Sequence, residues 1–245
     1  MMPDLTFCRS IVAVALAAIG LTIAPTPSQA ADNAMPSLPG VSIITAAEQY
    51  NISHLYYSGP KVRLTFDDCA TQTRLTAMVA WLTAYKIQAM FFFTGQCMLT
   101  HPTYASQLIQ AGQLLANHSY DHGDYSRMTA GQINDEVRRY GSVVPTTTPG
   151  LCRPPYGAGA FSLGVHNALA HAGCRPAFWT VDTRDWDGSS AATIIGRVAY
   201  GDATTPRAYP GGVILMHGTG PHTLEALPGI RQALIDRRYA TFHIN

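Results

Sequence analysis

Short apolar segments alternate with longer segments of helical periodicity through residues 61–245, and this alternation constrains the fold more than any other feature. In residues 73–85, for example, Leu75, Met78 and Leu82 recur at the spacing of one helix face. Predicted strands are residues 62–66, 89–93, 114–116, 177–181, 212–216 and 240–244. Predicted helices are residues 73–85, 104–111, 129–140, 162–172, 191–200 and 223–237. Apolar strands separated by helices predict an α/β fold in which helices cover a parallel sheet.

Composition agrees with one globular domain in this region. The chain has 245 residues, of which 47% are hydrophobic and 13% charged, so it is neither disordered nor fibrous. No internal repeat or second linker divides residues 61–245. The formal net charge of +1 gives no electrostatic basis for binding nucleic acid or an acidic membrane surface.

The N-terminal segment has the pattern of an export signal. Residues 11–24 are apolar and uncharged, too short for a comfortable membrane span, and residues 25–30 end in small side chains. We expect residues 1–30 to be a signal peptide, residues 31–60 to be a flexible leader and N-terminal extension, and the mature protein to be secreted. An uncleaved anchor and an N-terminal core helix are the alternatives.

Export changes the interpretation of the cysteines. Without Cys8, four cysteines remain, and an even number in an exported chain favours disulfides over buried free thiols, which are the alternative. Of three possible pairings we expect Cys69 with Cys97, because both follow neighbouring strands at one end of the sheet. The same pairing joins Cys152 to Cys174, which flank the next strand–helix unit.

Polar residues follow the apolar strands, where parallel α/β folds collect their functional groups. Asp67 and Asp68 follow the first strand, although such a pair is also typical of a solvated turn or a helix cap. His118 and His122 have the i, i+4 spacing that places two imidazoles on one side of a helical turn. Two imidazoles and one carboxylate are a metal-ligand set that leaves a position open for water. Two unrelated surface histidines are the alternative.

His217 ends the apolar strand 212–216, where an ionisable side chain is more often functional than structural. A hydrogen-bonded core histidine is the alternative. Asp182, Asp185 and Trp186 follow the strand that ends at residue 181, and Arg153 and Tyr156 lie shortly after Gly150.

Five motifs appear together in one order, and their order is more specific than any one of them. They are T-F-D-D at 65–68, H-S-Y-D-H at 118–122, R-P-P-Y-G at 153–157, D-T-R-D-W at 182–186 and L-M-H at 215–217. In this order the chain resembles the NodB-type polysaccharide deacetylases, the family-4 carbohydrate esterases, over about residues 61–245. The resemblance implies an irregular (β/α) barrel of fewer than eight parallel strands.

The resemblance also implies a role for each motif residue. Asp68, His118 and His122 would bind a divalent metal, zinc or alternatively cobalt. Asp67 would be the general base, held by Arg153, and His217 the general acid. Either Asp182 or Asp185, with Asp185 favoured, would orient His217. Tyr156 would hold the oxyanion through its backbone N–H, Trp186 would line the sugar groove, and Leu215 would shape the acetyl pocket.

The implied substrate is an acetylated polysaccharide of N-acetylglucosamine type, with no nucleic acid or membrane partner, and we expect a monomer. Acetylxylan O-deacetylation is the alternative within enzymes, because the motifs do not separate amides from esters. A non-catalytic sugar-binding module is the alternative outside enzymes, although Asp67 and His217 are both present. Two positions depart from the family pattern: Cys69 replaces the usual glycine after the paired aspartates, and Asp121 precedes the second metal histidine.

Overall fold

The structure of the chain is a computed structural model that describes residues 42–144 and 150–244. The predicted signal peptide, residues 1–30, and the first part of the predicted leader lie outside the described residues. The N-terminal extension contains helix α1, Ala46–Ser53, whose N-cap Thr45 accepts a hydrogen bond from the backbone N–H of Glu48.

Seven parallel strands form one sheet in the described part of the chain, in the order β5-β4-β3-β2-β1-β7-β6. The strands are β1 Arg63–Asp68, β2 Met90–Phe93, β3 Leu114–Asn117, β4 Leu151–Cys152, β5 Arg175–Pro176, β6 Val181–Asp182 and β7 Val213–His217. The edge strands β5 and β6 are joined by residues 177–180 alone. A connection this short keeps the two sheet edges within about 18 Å of each other. The sheet therefore curls into an incomplete barrel, which confirms the predicted fold.

Helices cover this sheet, as the periodicity predicted. They are α2 Gln72–Ala84, α3 Gly95–Thr100, α4 Tyr104–Gln110, α5 Ala130–Val143, α6 Leu163–His171, α7 Ala191–Tyr200 and α8 Thr223–Asp236. Helix α5 begins with a capping box in which Thr129 and Gln132 satisfy each other's backbone N–H groups. Within the described residues, no helix combines the length and apolar character needed to cross a membrane.

The central strands are buried on both faces, which explains their unbroken apolar sequences. All four residues of β2 are buried, and Phe66 of β1 stacks on Phe91 with ring centroids 5.0 Å apart. The apolar face of α2 packs on the same core through Leu75, Met78, Val79 and Leu82. Each such side chain contributes roughly 1.5–3 kcal/mol by leaving water.

Two predicted strands are wrong. Residues 177–180 are the link between the sheet edges, and only the flanking pairs 175–176 and 181–182 join the ladder. Residues 240–244 make only isolated bridges, Val62 with Thr241 and Ile87 with His243. Both segments are apolar enough for a strand, but neither runs beside a neighbour long enough to form one. The short elements α3 and β4 were not predicted, since two to six residues are too few to show a period.

Candidate active site and metal centre

Asp68 and the two histidines form a compact donor set at one end of the sheet. The Nε2 atoms of His118 and His122 lie 3.4 and 3.0 Å from Oδ1 of Asp68. One ligand atom from each of the three residues lies within 4.8 Å of the others, so the group could hold a metal ion. It is the group of this kind found among the described residues. A tetrahedral ion with bonds of about 2.1 Å separates its ligands by about 3.4 Å, which is close to the two distances between Asp68 and the histidines.

Each histidine makes a hydrogen bond through Nδ1, which leaves its Nε2 atom available as a metal ligand. Nδ1 of His118 lies 2.8 Å from the carbonyl oxygen of Arg153, which fixes the proton on Nδ1. Nδ1 of His122 lies 3.1 Å from the hydroxyl of Tyr156. Burial raises the pKa of Asp68, but its close contacts with both imidazoles outweigh burial and hold that pKa well below its ordinary value. The site therefore presents a carboxylate to two imidazoles.

The conformation between the histidines differs from the helical turn that the i, i+4 spacing predicted. Residues 118–122 form a loop after β3, and Ser119 and His122 have positive φ angles of 66° and 60°. A right-handed helix does not accommodate these angles. The imidazoles still meet, with ring centroids 5.0 Å apart, because the loop folds back on itself.

Asp67 lies beside the donor set and is paired with a buried arginine. Nη1 of Arg153 lies 2.6 Å from Oδ1 of Asp67, and neither side chain is more than 3% exposed. Arg153 also donates to the hydroxyl of Thr65 and to the carbonyl of Phe178. Burial lowers the pKa of Arg153, and the charge of Asp67 opposes that effect. The second carboxylate oxygen of Asp67 lies 3.6 Å from Nε2 of His118.

His217 lies across from this pair, on the strand beside β1, where it is the register partner of Asp67. Its Nδ1 atom lies 2.7 Å from Oδ1 of Asp185, and its backbone N–H donates to Oδ2 at 2.8 Å. The hydroxyl of Thr223 also donates to Oδ2. Burial acts to lower the pKa of His217, but the hydrogen bond and charge of Asp185, with smaller effects of Asp67 and Asp68, raise it to about 9.

The structure separates the two aspartates that the sequence left as alternatives. Asp185 is fully buried and contacts His217, as favoured from the sequence. Asp182 lines the pocket instead and accepts the backbone N–H of Arg184 at 2.8 Å. Burial raises the pKa of Asp182.

A pocket of about 450 Å³ opens over these groups. Its lining residues are Asp67, Asp68, His118, His122, Tyr156, Gly157, Trp179, Asp182, Trp186, Leu215 and His217. Tyr156 and Trp186 are 72% and 58% exposed, as groove residues are, whereas Leu215 is buried in the floor. Trp179, which stacks on Phe178, was not among the predicted site residues. It was assigned to the interior of a strand, although an aromatic residue just before the D-T-R-D-W motif was an available signal.

The curled parallel sheet brings three possible metal ligands beside a paired carboxylate and a paired imidazole. This arrangement fits the class of metal-dependent hydrolases. The family model described as polysaccharide deacetylase matches residues 56–177. The chain belongs to the polysaccharide deacetylase family, the family 4 carbohydrate esterases.

Individual comparisons agree with this assignment. A chitooligosaccharide deacetylase of Bradyrhizobium is 30% identical over 164 residues, covering 65% of this chain and 71% of that protein. The protein YlxY of Bacillus subtilis is 29% identical over 68% of this chain, which spans only half of that relative's length. A family 4 carbohydrate esterase from Streptomyces lividans, solved in complex with acetate, aligns with a TM-score of 0.67 and 30% identity. That alignment covers 77% of this chain and 94% of the esterase.

Proposed function

We propose that this chain is an exported, zinc-type metal-dependent deacetylase that removes acetyl groups from a polysaccharide of N-acetylglucosamine type. One observation carries the proposal. The Asp68–His118–His122 donor set shares a pocket with a carboxylate, Asp67, and an imidazole, His217, each held by its own buried partner. Hydrolysis of an amide needs these three functions in one place: an electrophile, a base and an acid.

Asp67 is the base in this proposal. A zinc-type ion held by Asp68, His118 and His122 would polarise the acetyl carbonyl and lower the pKa of water toward about 7. Asp67 accepts the proton of the attacking water, and Arg153 fixes the carboxylate through a bond that leaves Oδ2 available. Because Arg153 is itself held by Thr65 and Phe178, the base does not rotate away from the pocket.

His217 is the acid. An amine leaves only after its nitrogen is protonated, so the acid must carry a proton at working pH. Asp185 maintains the imidazolium by accepting from Nδ1, and this contact leaves Nε2 for the leaving nitrogen. The backbone N–H of Tyr156 stabilises the oxyanion, Trp186 lines the groove and Leu215 shapes the acetyl pocket.

Relatives named as chitooligosaccharide deacetylases and peptidoglycan-N-acetylglucosamine deacetylases support the choice of N-acetylated substrates. The signal-like residues 1–30 and the two disulfides of the described region, Cys69–Cys97 and Cys152–Cys174, support export, because such bonds persist in oxidising compartments. A secreted monomer that releases its signal peptide near Ala31 is the form we expect.

The test is acetate release from acetylated chitooligosaccharides, peptidoglycan and acetylxylan, assayed in parallel with and without a chelator. We expect release from one of the first two substrates, loss with chelator and recovery with zinc. Release from acetylxylan alone would replace the substrate assignment, and no release from any of the three would overturn the proposed activity. N-terminal sequencing of exported protein checks the cleavage site.

A further inference from the structure

Glu136 is a buried carboxylate outside the pocket that the proposed mechanism does not use. It lies on α5 and is 5% exposed. Its Oε2 atom accepts two hydrogen bonds, from the backbone N–H of Tyr120 at 2.9 Å and of Asp121 at 2.8 Å. These two residues lie between His118 and His122, so Glu136 contacts the segment that joins the two metal-binding histidines.

The segment has no regular secondary structure to maintain its shape. Four consecutive backbone N–H groups, those of residues 119–122, are each accepted by a side-chain oxygen. Asn117 Oδ1 accepts the N–H of Ser119 at 2.7 Å, and the Ser119 hydroxyl accepts that of His122 at 2.8 Å. Glu136 accepts the other two and, unlike Asn117 and Ser119, is distant from the segment in sequence. The positive φ angles of Ser119 and His122 persist only when such contacts over-determine them.

Helix α3 holds the carbonyl groups of the segment, and Arg139 of α5 reinforces the Glu136 side. The backbone N–H groups of Gly95 and Gln96 donate to the carbonyls of Ser119 and Tyr120, at 2.9 and 3.1 Å. Arg139 donates to both Asp121 and Glu136, and its guanidinium lies 3.9 Å from the ring centroid of Tyr120. Asp121, which departs from the family pattern, is therefore one of the residues through which α5 holds the segment. Both polar edges of the segment are fixed by groups from other elements.

From these contacts we infer that Glu136 is a positioning residue for the metal centre, an inference that rests on the proposed metal-dependent function. Its carboxylate holds the 119–122 segment in the one conformation that directs both imidazoles at Asp68. A carboxylate suits this task because one charged oxygen binds two N–H groups more strongly than a neutral acceptor does. A glutamine retains an acceptor oxygen but presents an amide N–H₂ to Arg139, and a leucine of similar size accepts nothing.

The experiment measures the Kd for Zn²⁺ of metal-stripped protein by competition with a chromophoric chelator, well below the unfolding temperature. The variants are Glu136→Gln and Glu136→Leu. Asp135→Asn is the matched control, since it removes the same charge from the neighbouring, solvent-facing position of α5. We expect Kd to rise about 10- to 100-fold in the Glu136 variants, more for leucine than for glutamine. The control should stay within roughly twofold of wild type.

A purely structural role would lower the unfolding temperature of the metal-free protein without changing Kd, so both are recorded. If the folded Glu136→Gln variant binds Zn²⁺ with the same Kd as the wild-type protein, the inference is overturned and the proposed function stands. The glutamine variant therefore suffices as a test even if the leucine variant does not fold. Failure of the wild-type protein to bind Zn²⁺ would overturn the proposed function and this inference together. The absorption spectrum of bound Co²⁺ should also change in Glu136→Gln, because the ligand geometry shifts.

Discussion

The two carboxylate oxygens of Asp185 both bind the same residue, His217. One oxygen lies 2.7 Å from Nδ1 of the imidazole, and the other accepts the backbone N–H of the same residue at 2.8 Å. Solvent does not reach Asp185, and the hydroxyl of Thr223 completes its hydrogen bonds. The contact therefore sets both the direction of the ring and its affinity for a proton.

Asp185→Asn should move the alkaline limb of the pH–kcat profile to lower pH. The pKa of His217 is raised, to about 9, so the imidazolium is present below that pH and is lost as the pH rises through it. A metal cation bound nearby would repel the imidazolium and lower the pKa of His217. The alkaline limb is therefore expected at or below about pH 9. Removing the charge of Asp185 lowers this pKa, whereas the acid limb, which His217 does not set, stays in place.

Asp182→Asn is the matched control for that measurement, since it removes the same charge three residues away without breaking a hydrogen bond to His217. It should move the alkaline limb less than Asp185→Asn, and both variants should retain metal. If the alkaline limb of the pH–kcat profile does not move in Asp185→Asn, then Asp185 does not set the pKa of His217, and the assignment of His217 as the general acid loses its support.

Asp67→Asn should retain the metal and lose about 100- to 10,000-fold in kcat, because its task is proton transfer. The variant also leaves Arg153 buried beside a neutral amide, so we expect a lower free energy of unfolding. Steady-state rates and metal content, measured on the same preparation, decide the matter. A near wild-type rate would exclude Asp67 as the base.

His118→Ala and His122→Ala should each lose bound metal and activity, because each removes one of three protein ligands. Metal content by mass spectrometry is the measurement. His222→Ala is the control, since this histidine is partly exposed and pairs with Glu225 outside the pocket. Full occupancy in either ligand variant would remove that histidine from the metal centre.

Replacing either disulfide with two serines should lower the free energy of unfolding by about 3–4 kcal/mol, because the closed loops restrict the unfolded chain. The two loops span 28 and 22 residues, so Cys69–Cys97 and Cys152–Cys174 should contribute nearly equally. Denaturant titration of the metal-free double variants tests this. A large loss from one pair alone would show that native contacts, rather than loop entropy, dominate.

Much of the fold was predictable because its signals are local. Buried parallel strands require apolar runs, and helices packed on one face require a 3.6-residue period, so β1, β2, β3 and β7 were placed within a few residues. Both disulfide pairings are confirmed, Cys69–Cys97 as predicted from neighbouring strand ends and Cys152–Cys174 as predicted from one strand–helix unit. The failures are segments where pairing depends on a distant neighbour, such as residues 177–181 and 240–244.

The sequence by itself determined which chemical groups stand at the strand ends, because parallel strands deliver their following residues to one edge of the sheet. It did not determine how those groups meet. Asp182 and Asp185 are three residues apart in one motif, and only the left-handed turn at Arg184, with φ of 47°, followed by a short 3₁₀ turn, puts Asp185 under His217. The loop between His118 and His122 likewise owes its shape to Glu136 and α3. Such choices belong to tertiary structure, because a loop's conformation is decided by the partners that satisfy its polar groups and not by its own residues alone.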